Sequence, residues 1–276
     1  MSDGPVEIAH LNRLFALHDA VATLELGAPP TTRLVSPAGA TVPRRVGILC
    51  GSFNPLTLAH TELAHGALAA FALDTVFFTL AKVTVDKEQV TGLSLEDRLL
   101  LLSFFAERHG QMGVALVNRG LYFEQAQAFR ALLGKAVALY FLVGMDKLLQ
   151  IFDPRYYQDR DAALEQLFAI ASLIVANRGD MDGTQFGQLL KRPENRRFRA
   201  HVRFFTLSAA VADLSATALR EALAAGQPID SQVPPETMAF LTETRAFIPP
   251  RQRGTDQVDV YAERLAVLAE LYAERG

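Results

Sequence analysis

One cysteine and no tryptophan occur in 276 residues. The single thiol, Cys50, excludes an intrachain disulfide and any cysteine-built zinc site. At the end of an apolar run it reads as a small core residue. No apolar stretch approaches the roughly 20 residues that a spanning helix needs; the densest, Ala136 to Val143, has the length of a buried strand. Met1 to Pro5 lacks the basic start and apolar run of a secretory signal, so the expected compartment is the cytoplasm, with no membrane partner. Charge of one sign is also scarce. The net charge is -3, which gives no reason to expect nucleic acid and still leaves room for a local basic pocket. Several signatures are missing as well: GxGxxG after the first strand, GxxxxGK[ST], the GxSxG elbow and HExxH. Their absence argues against a dinucleotide cofactor, a P-loop NTPase, a serine hydrolase of the elbow type and a zinc peptidase.

What is present is regular alternation. Hydrophobic residues make up 50% and charged residues 21%, the balance of a folded globular chain. Pro5 to Leu26 carries an apolar stripe at helical spacing, and Thr31 to Val42 reads as a short segment with a hairpin around Pro37-Ala38-Gly39. Strands are expected at Val46–Cys50, Thr75–Leu80, Met112–Val117, Ala136–Val143, Ala171–Ala176 and Val202–Leu207, with helical patterns between them. Ser94 caps one helix, with Asp97 three residues on. The run from Lys191 to Arg199 reads as a solvated basic loop, and His65 and His109 as structural. Thr255 to Arg275 is an amphipathic helix that packs on the domain or on a partner subunit of a homo-oligomer. The fold class is therefore α/β, a Rossmann-like doubly wound parallel sheet. Residues 1–43 form an N-terminal helical extension, 44–230 the α/β domain and 231–276 a C-terminal helical region.

In such sheets ligands lie at the carboxyl ends of the strands. Four punctuated loops fall there: Gly51 to His60, Lys82 to Gly92, Gly144 to Asp146 and Leu214 to Arg220. The first, Gly51-Ser52-Phe53-Asn54-Pro55-Leu56-Thr57-Leu58-Ala59-His60, joins a strand to a helix N-terminus, a geometry suited to phosphate. It resembles the (H/T)xxH signature of the nucleotidyltransferase superfamily, in the form found in nicotinamide/nicotinate mononucleotide adenylyltransferases. Leu214-Ser215-Ala216-Thr217-Ala218-Leu219-Arg220 is similar to that family's Ile-Ser-Ser-Thr-x-x-Arg motif, with Ala216 in place of the second serine. The resemblance runs from about Val46 to Leu241.

The resemblance implies adenylyl transfer from ATP to nicotinate or nicotinamide mononucleotide, in the biosynthesis of NAD. Mg²⁺ would bridge the ATP phosphates with few protein ligands. His60, Thr57 and Arg220 are the expected catalytic residues. Gly51, Ser52, Phe53, Lys87, Asp146, Arg178, Ser215 and Thr217 are the expected nucleotide-binding residues. Each has a plainer reading beside it: Ser215 and Asp146 as helix caps, Lys87 and Arg178 as solvated charges. Family members commonly stack the pyridine ring on tryptophan. Here Tyr156, Tyr157 or Phe152 is the expected substitute. Other acceptors (phosphopantetheine), CTP as donor, and a non-catalytic nucleotide sensor are the alternatives.

Overall fold

The computed structural model describes residues 8–38, 43–83, 92–179, 181–253 and 256–275. In chain order the first half comprises α1 (Leu11–Ala22), β1 (Thr32–Ser36), β2 (Arg45–Cys50), α2 (Leu58–Phe71), β3 (Thr75–Ala81), α3 (Leu95–Arg108), β4 (Met112–Val117), α4 (Tyr122–Leu133), β5 (Ala138–Gly144) and α5 (Met145–Ile151). The second half continues with α6 (Arg160–Ile170), β6 (Ala171–Ala176), α7 (Gly183–Lys191), β7 (Val202–Phe205), α8 (Ala209–Ala212), α9 (Ala216–Ala224), α10 (Pro235–Thr244), the small ribbon β8 (Arg251–Arg253) and β9 (Asp256–Val258), and α11 (Val260–Ala273).

Seven strands form one sheet in the order β1-β4-β3-β2-β5-β6-β7. Strands β2 to β7 are parallel, and Ile48 of β2 stands between Phe77 of β3 and Phe141 of β5. The central strands are apolar without alternation because both faces are covered. Their side chains divide by period two. Val76, Phe78 and Leu80 point into a core shared with α1, α2, α3, α9, α10 and α11. Val46, Ile48 and Phe77 point into a second core, shared with α4, α5, α6 and α7. The sheet is thus wound on both faces, as the alternation of the sequence implies.

The chain builds outward from β2 to β3 and β4, then returns across β2 to start the other half at β5. The switch point lies between β2 and β5. At their carboxyl ends the loops on the two sides diverge and leave a crevice. The first and third of the punctuated loops, Gly51 to His60 and Gly144 to Asp146, leave from these two strands.

Three local expectations are corrected. The N-terminal helix spans Leu11–Ala22 rather than Pro5 to Leu26; residues 1–7 lie outside the described residues. The Lys82 ammonium donates to the carbonyls of Val21 (2.7 Å) and Leu24 (2.9 Å), holding the helix end against β3. Among the described residues Thr32–Ser36 is a sheet strand rather than one arm of an isolated hairpin. It pairs antiparallel with β4, Thr32 opposite Val117, and closes that edge of the sheet; Gly39 lies outside the described residues. The run Lys191 to Arg199 is not a free loop. Asn195 is buried and Phe198 enters the second core, while Arg197 pairs with Asp161 (2.7 Å) and Glu165 (3.0 Å). Burying one phenyl ring stabilises by about 2 kcal/mol, more than solvating two nearby charges returns.

Candidate active site

The loop after β2 is held from behind. Phe53 sits in the left-handed region at φ 45°, is fully buried, and meets the Phe78 ring edge to face at 5.5 Å. A β-carbon on Gly51 would lie 3.1 Å from that ring, so glycine is what lets the phenyl fold under the loop. Thr57 caps α2 and is buried. Its backbone N–H donates to His60 Nδ1 at 3.1 Å, and its hydroxyl lies 2.9 Å from the same nitrogen. Because Nδ1 accepts, the proton of the neutral ring sits on Nε2. The ring packs edge-on against Phe53. Burial, with a contribution from the Arg178 guanidinium, pushes the His60 pKa down to about 4. At neutral pH His60 is therefore an uncharged donor with its free N–H on the cavity side of the ring.

Across the crevice, Asp146 and Arg178 leave β5 and β6 and approach to 3.7 Å. Gly144 makes room for them, since a β-carbon there would lie 2.6 Å from the Asp146 carboxylate. Ser215 caps α9, its hydroxyl accepting from the Ala218 N–H at 3.0 Å. Arg220 donates to the Thr217 hydroxyl (3.2 Å) and to the Asn54 carbonyl (2.7 Å), bracing the loop after β2 from its outer side.

These groups surround a cavity of about 550 Å³ at the switch point. Gly51, Ser52, His60, Asp146, Arg178, Ser215 and Thr217 line it together. Three of the expected site residues stand outside the lining. Phe53 and Thr57 lie beneath it, and Arg220 lies on the far side of the loop, beside a second, shallower pocket with Gly92 and Phe247. Lys87 lies outside the described residues. Phe152 is withdrawn from the ring-stacking set: it is 5% exposed and packs on Phe168 and Phe198 in the second core. Tyr156 and Tyr157 do line the cavity.

The sequence reading missed Arg98. It stands one turn past the Ser94 cap of α3, at a position that belongs to no motif. Only 8% exposed, it donates to the Ser52 carbonyl (3.1 Å) and the Ser94 carbonyl (3.3 Å), and it lines the cavity. Burial depresses its pKa. Among the described residues its guanidinium is held by carbonyl oxygens and forms no ion pair with a carboxylate. Gln125 was missed too. Its amide holds the Arg119 and Gly120 carbonyls (3.0 and 3.1 Å) and accepts from the Cys50 thiol (2.8 Å), fixing the loop after β4 as one wall. Among the described lining residues, Arg98, Arg178 and Lys147 face a single carboxylate, Asp146. That balance suits a polyanion.

Comparisons with known proteins agree with this geometry. The family model described as cytidylyltransferase-like matches residues 48–222. The chain is 28% identical over 211 residues to a probable nicotinate-nucleotide adenylyltransferase of Synechococcus sp. (strain JA-3-3Ab), covering 75% of this chain and 96% of that protein. It is 28% identical over 236 residues to another of the same description from Trichlorobacter lovleyi, covering 74% and 100%. Among solved structures it superimposes on Plasmodium falciparum nicotinic acid mononucleotide adenylyltransferase complexed with NaAD. The TM-score is 0.56 at 15% identity, over 74% of this chain and 97% of that one.

Proposed function

The chain belongs to the cytidylyltransferase-like family, and from that membership and the chemistry of the cavity we propose that it transfers the adenylyl group of ATP to a pyridine mononucleotide, with the nicotinate form as favoured acceptor. The products are the dinucleotide and pyrophosphate. The relatives' descriptions supply the acceptor. The observation that carries the transfer chemistry is the excess of cationic lining groups over carboxylates, with the His60 Nε2–H beside them.

In this reading a phosphate oxygen of the mononucleotide attacks the α-phosphorus of ATP. The bond from that phosphorus to the bridging oxygen breaks, and pyrophosphate leaves with the electron pair. No general base is required, because a phosphate monoester with a second pKa of about 6 is mostly dianionic at neutral pH. The protein's part is positioning and neutralisation. The Gly51 and Ser52 backbone and His60 hold the triphosphate. Arg98, Arg178, Ser215 and Thr217 take up charge around it. Thr57 and Arg220 are positioning residues that act through His60 and the loop. Tyr156 and Tyr157 supply the aromatic surface for the ring in place of tryptophan. A divalent cation such as Mg²⁺ would neutralise part of the triphosphate charge when bound. Among the described residues no group of three metal-ligating side chains gathers, so phosphate oxygens and water would be its main ligands, with Asp146 the nearest carboxylate.

Pyrophosphate release is the direct test. It is expected to require both ATP and the mononucleotide, and to fall sharply when CTP replaces ATP. Binding of ATP without turnover on nicotinate mononucleotide, nicotinamide mononucleotide or phosphopantetheine would overturn the proposal in favour of a nucleotide sensor.

Arg98 offers a second check. Arg98→Met keeps an unbranched apolar stem and removes the guanidinium with its charge. The KM for ATP is expected to rise by about tenfold or more, the scale of one lost charge-assisted hydrogen bond. Arg98→Lys should recover part of it. An unchanged KM in the methionine variant would assign Arg98 to packing alone.

A further inference from the structure

The cavity crosses the carboxyl edge of the sheet and has two chemically distinct ends. One end belongs to the face of α2, α3 and α9 and carries His60, Arg98, Ser215 and Thr217. The other belongs to the face of α4 and α5 and carries Tyr122, Lys147, Gln150, Tyr156 and Tyr157. The first end accounts for a triphosphate. The second is an aromatic slot, with Tyr122, Tyr156 and Tyr157 in its lining.

Lys147 is the only cation among the described lining residues at that second end. It is half-buried on the first turn of α5 and makes no ion pair with a carboxylate among the described residues. Its neighbour Asp146 leans toward Arg178 instead. The Lys147 ammonium donates to Gln150 Oε1 at 2.5 Å, one helical turn on, and both side chains line the slot. Cys50, at the end of β2, lines the same cavity. A lysine serving only solubility would extend into water and gain nothing from a fixed amide partner. Here the amide restrains one donor and leaves two for a ligand.

We propose that Lys147, steadied by Gln150, sets acceptor specificity by pairing with a carboxylate on the acceptor's ring, so that an anionic ring substituent is selected over a carboxamide. This rests on the adenylyl-transfer reading above and assigns the discrimination to one side chain. A carboxylate gains a charge-assisted hydrogen bond at this position; a neutral carboxamide presents an N–H₂ group and a weaker acceptor to the same ammonium.

The experiment measures kcat/KM for nicotinate and nicotinamide mononucleotide, with saturating ATP, in the wild type and in Lys147→Met, Lys147→Arg and Lys147→Glu. The readout is the ratio between the two acceptors, which a general loss of folded enzyme does not move. The ratio is expected to fall by about tenfold or more in the methionine variant. It should be kept in the arginine variant and pass in favour of the carboxamide in the glutamate variant. An equal loss with both acceptors would place Lys147 on their shared phosphate and overturn the assignment, as would an unchanged ratio in Lys147→Met. Wild-type protein that turns over neither acceptor would overturn the adenylyl-transfer reading and this inference with it. Wild-type turnover with an unmoved ratio in the variants would overturn the assignment of Lys147 alone.

Discussion

Replacing His60 with alanine is expected to lower kcat for adenylyl transfer by at least about a hundredfold while the protein stays folded, the scale of losing one preorganised donor to developing charge. The donor is preorganised because the ring has no freedom to choose its tautomer. The Thr57 N–H occupies Nδ1 at 3.1 Å, so Nε2 carries the proton. The ring orientation is fixed by the same bond and by the edge contact with Phe53. Burial and Arg178 hold its pKa near 4, so at pH 7 the group enters catalysis uncharged. Pyrophosphate binding should raise that pKa, because an anion beside the ring favours its protonated form. An NMR titration of the imidazole should therefore show an inflection near pH 4 in the free protein and a higher one with pyrophosphate. The sign for stability follows. The folded pKa lies below the unfolded value of about 6.5, so the contribution is full above pH 6.5 and is lost as the pH falls toward 4. His60→Ala should remove that part of the acid sensitivity. Near-normal turnover in the alanine variant, with circular dichroism unchanged, would end the assignment of His60 to the chemistry.

Much of this site was legible because its parts are local. The strand at Met112–Val117 is bounded as read, since six apolar residues are enclosed by turn-forming neighbours. The Ser94 cap is made as expected, its hydroxyl accepting from the Asp97 N–H. The loop from Gly51 to His60 carries its own reason for shape in Gly51 and Thr57. What was not legible depends on partners far along the chain. Strand β1 is five residues with three polar side chains, and nothing in Thr32–Ser36 announces a partner some eighty residues on. Arg98 belongs to no local motif; its place is set by the Ser52 carbonyl, 46 residues earlier in the chain. Arg220 was expected to face phosphate. Its guanidinium donates to the Asn54 carbonyl, 166 residues away in sequence, a partner no spacing rule could supply. The charge run at Lys191 to Arg199 misled for the complementary reason: two anchors, Asn195 and Phe198, outweigh five basic neighbours.

Asp97→Ala is expected to destabilise the protein by about 3–5 kcal/mol, a fall in Tm of roughly 10 °C. Asp97 is fully buried. Its carboxylate accepts from Arg264 Nη2 at 2.8 Å and from the Tyr261 hydroxyl at 2.7 Å, both on α11. The Tyr261 oxygen in turn accepts from the Ser94 N–H at 2.9 Å. Alanine at 97 would leave a guanidinium that is 6% exposed and a buried hydroxyl without their acceptor, and that desolvation is what costs so much. The distinction between a needed charge and a needed partner can be measured. In the pair Asp97→Leu with Arg264→Met no charge is stranded, so most of the loss should be recovered although the ion pair is gone. Function should follow stability by one route. Residue 97 adjoins Arg98 on the first turn of α3, and Arg98 holds the Ser52 carbonyl of the loop after β2. Loosening α11 from α3 should therefore raise the KM for ATP more than it lowers kcat, and the double substitution should restore KM along with Tm. If Tm recovers and KM does not, the carboxylate itself tunes the cavity. If Asp97→Ala leaves Tm unchanged, the C-terminal helix does not depend on this ion pair for its place on the domain.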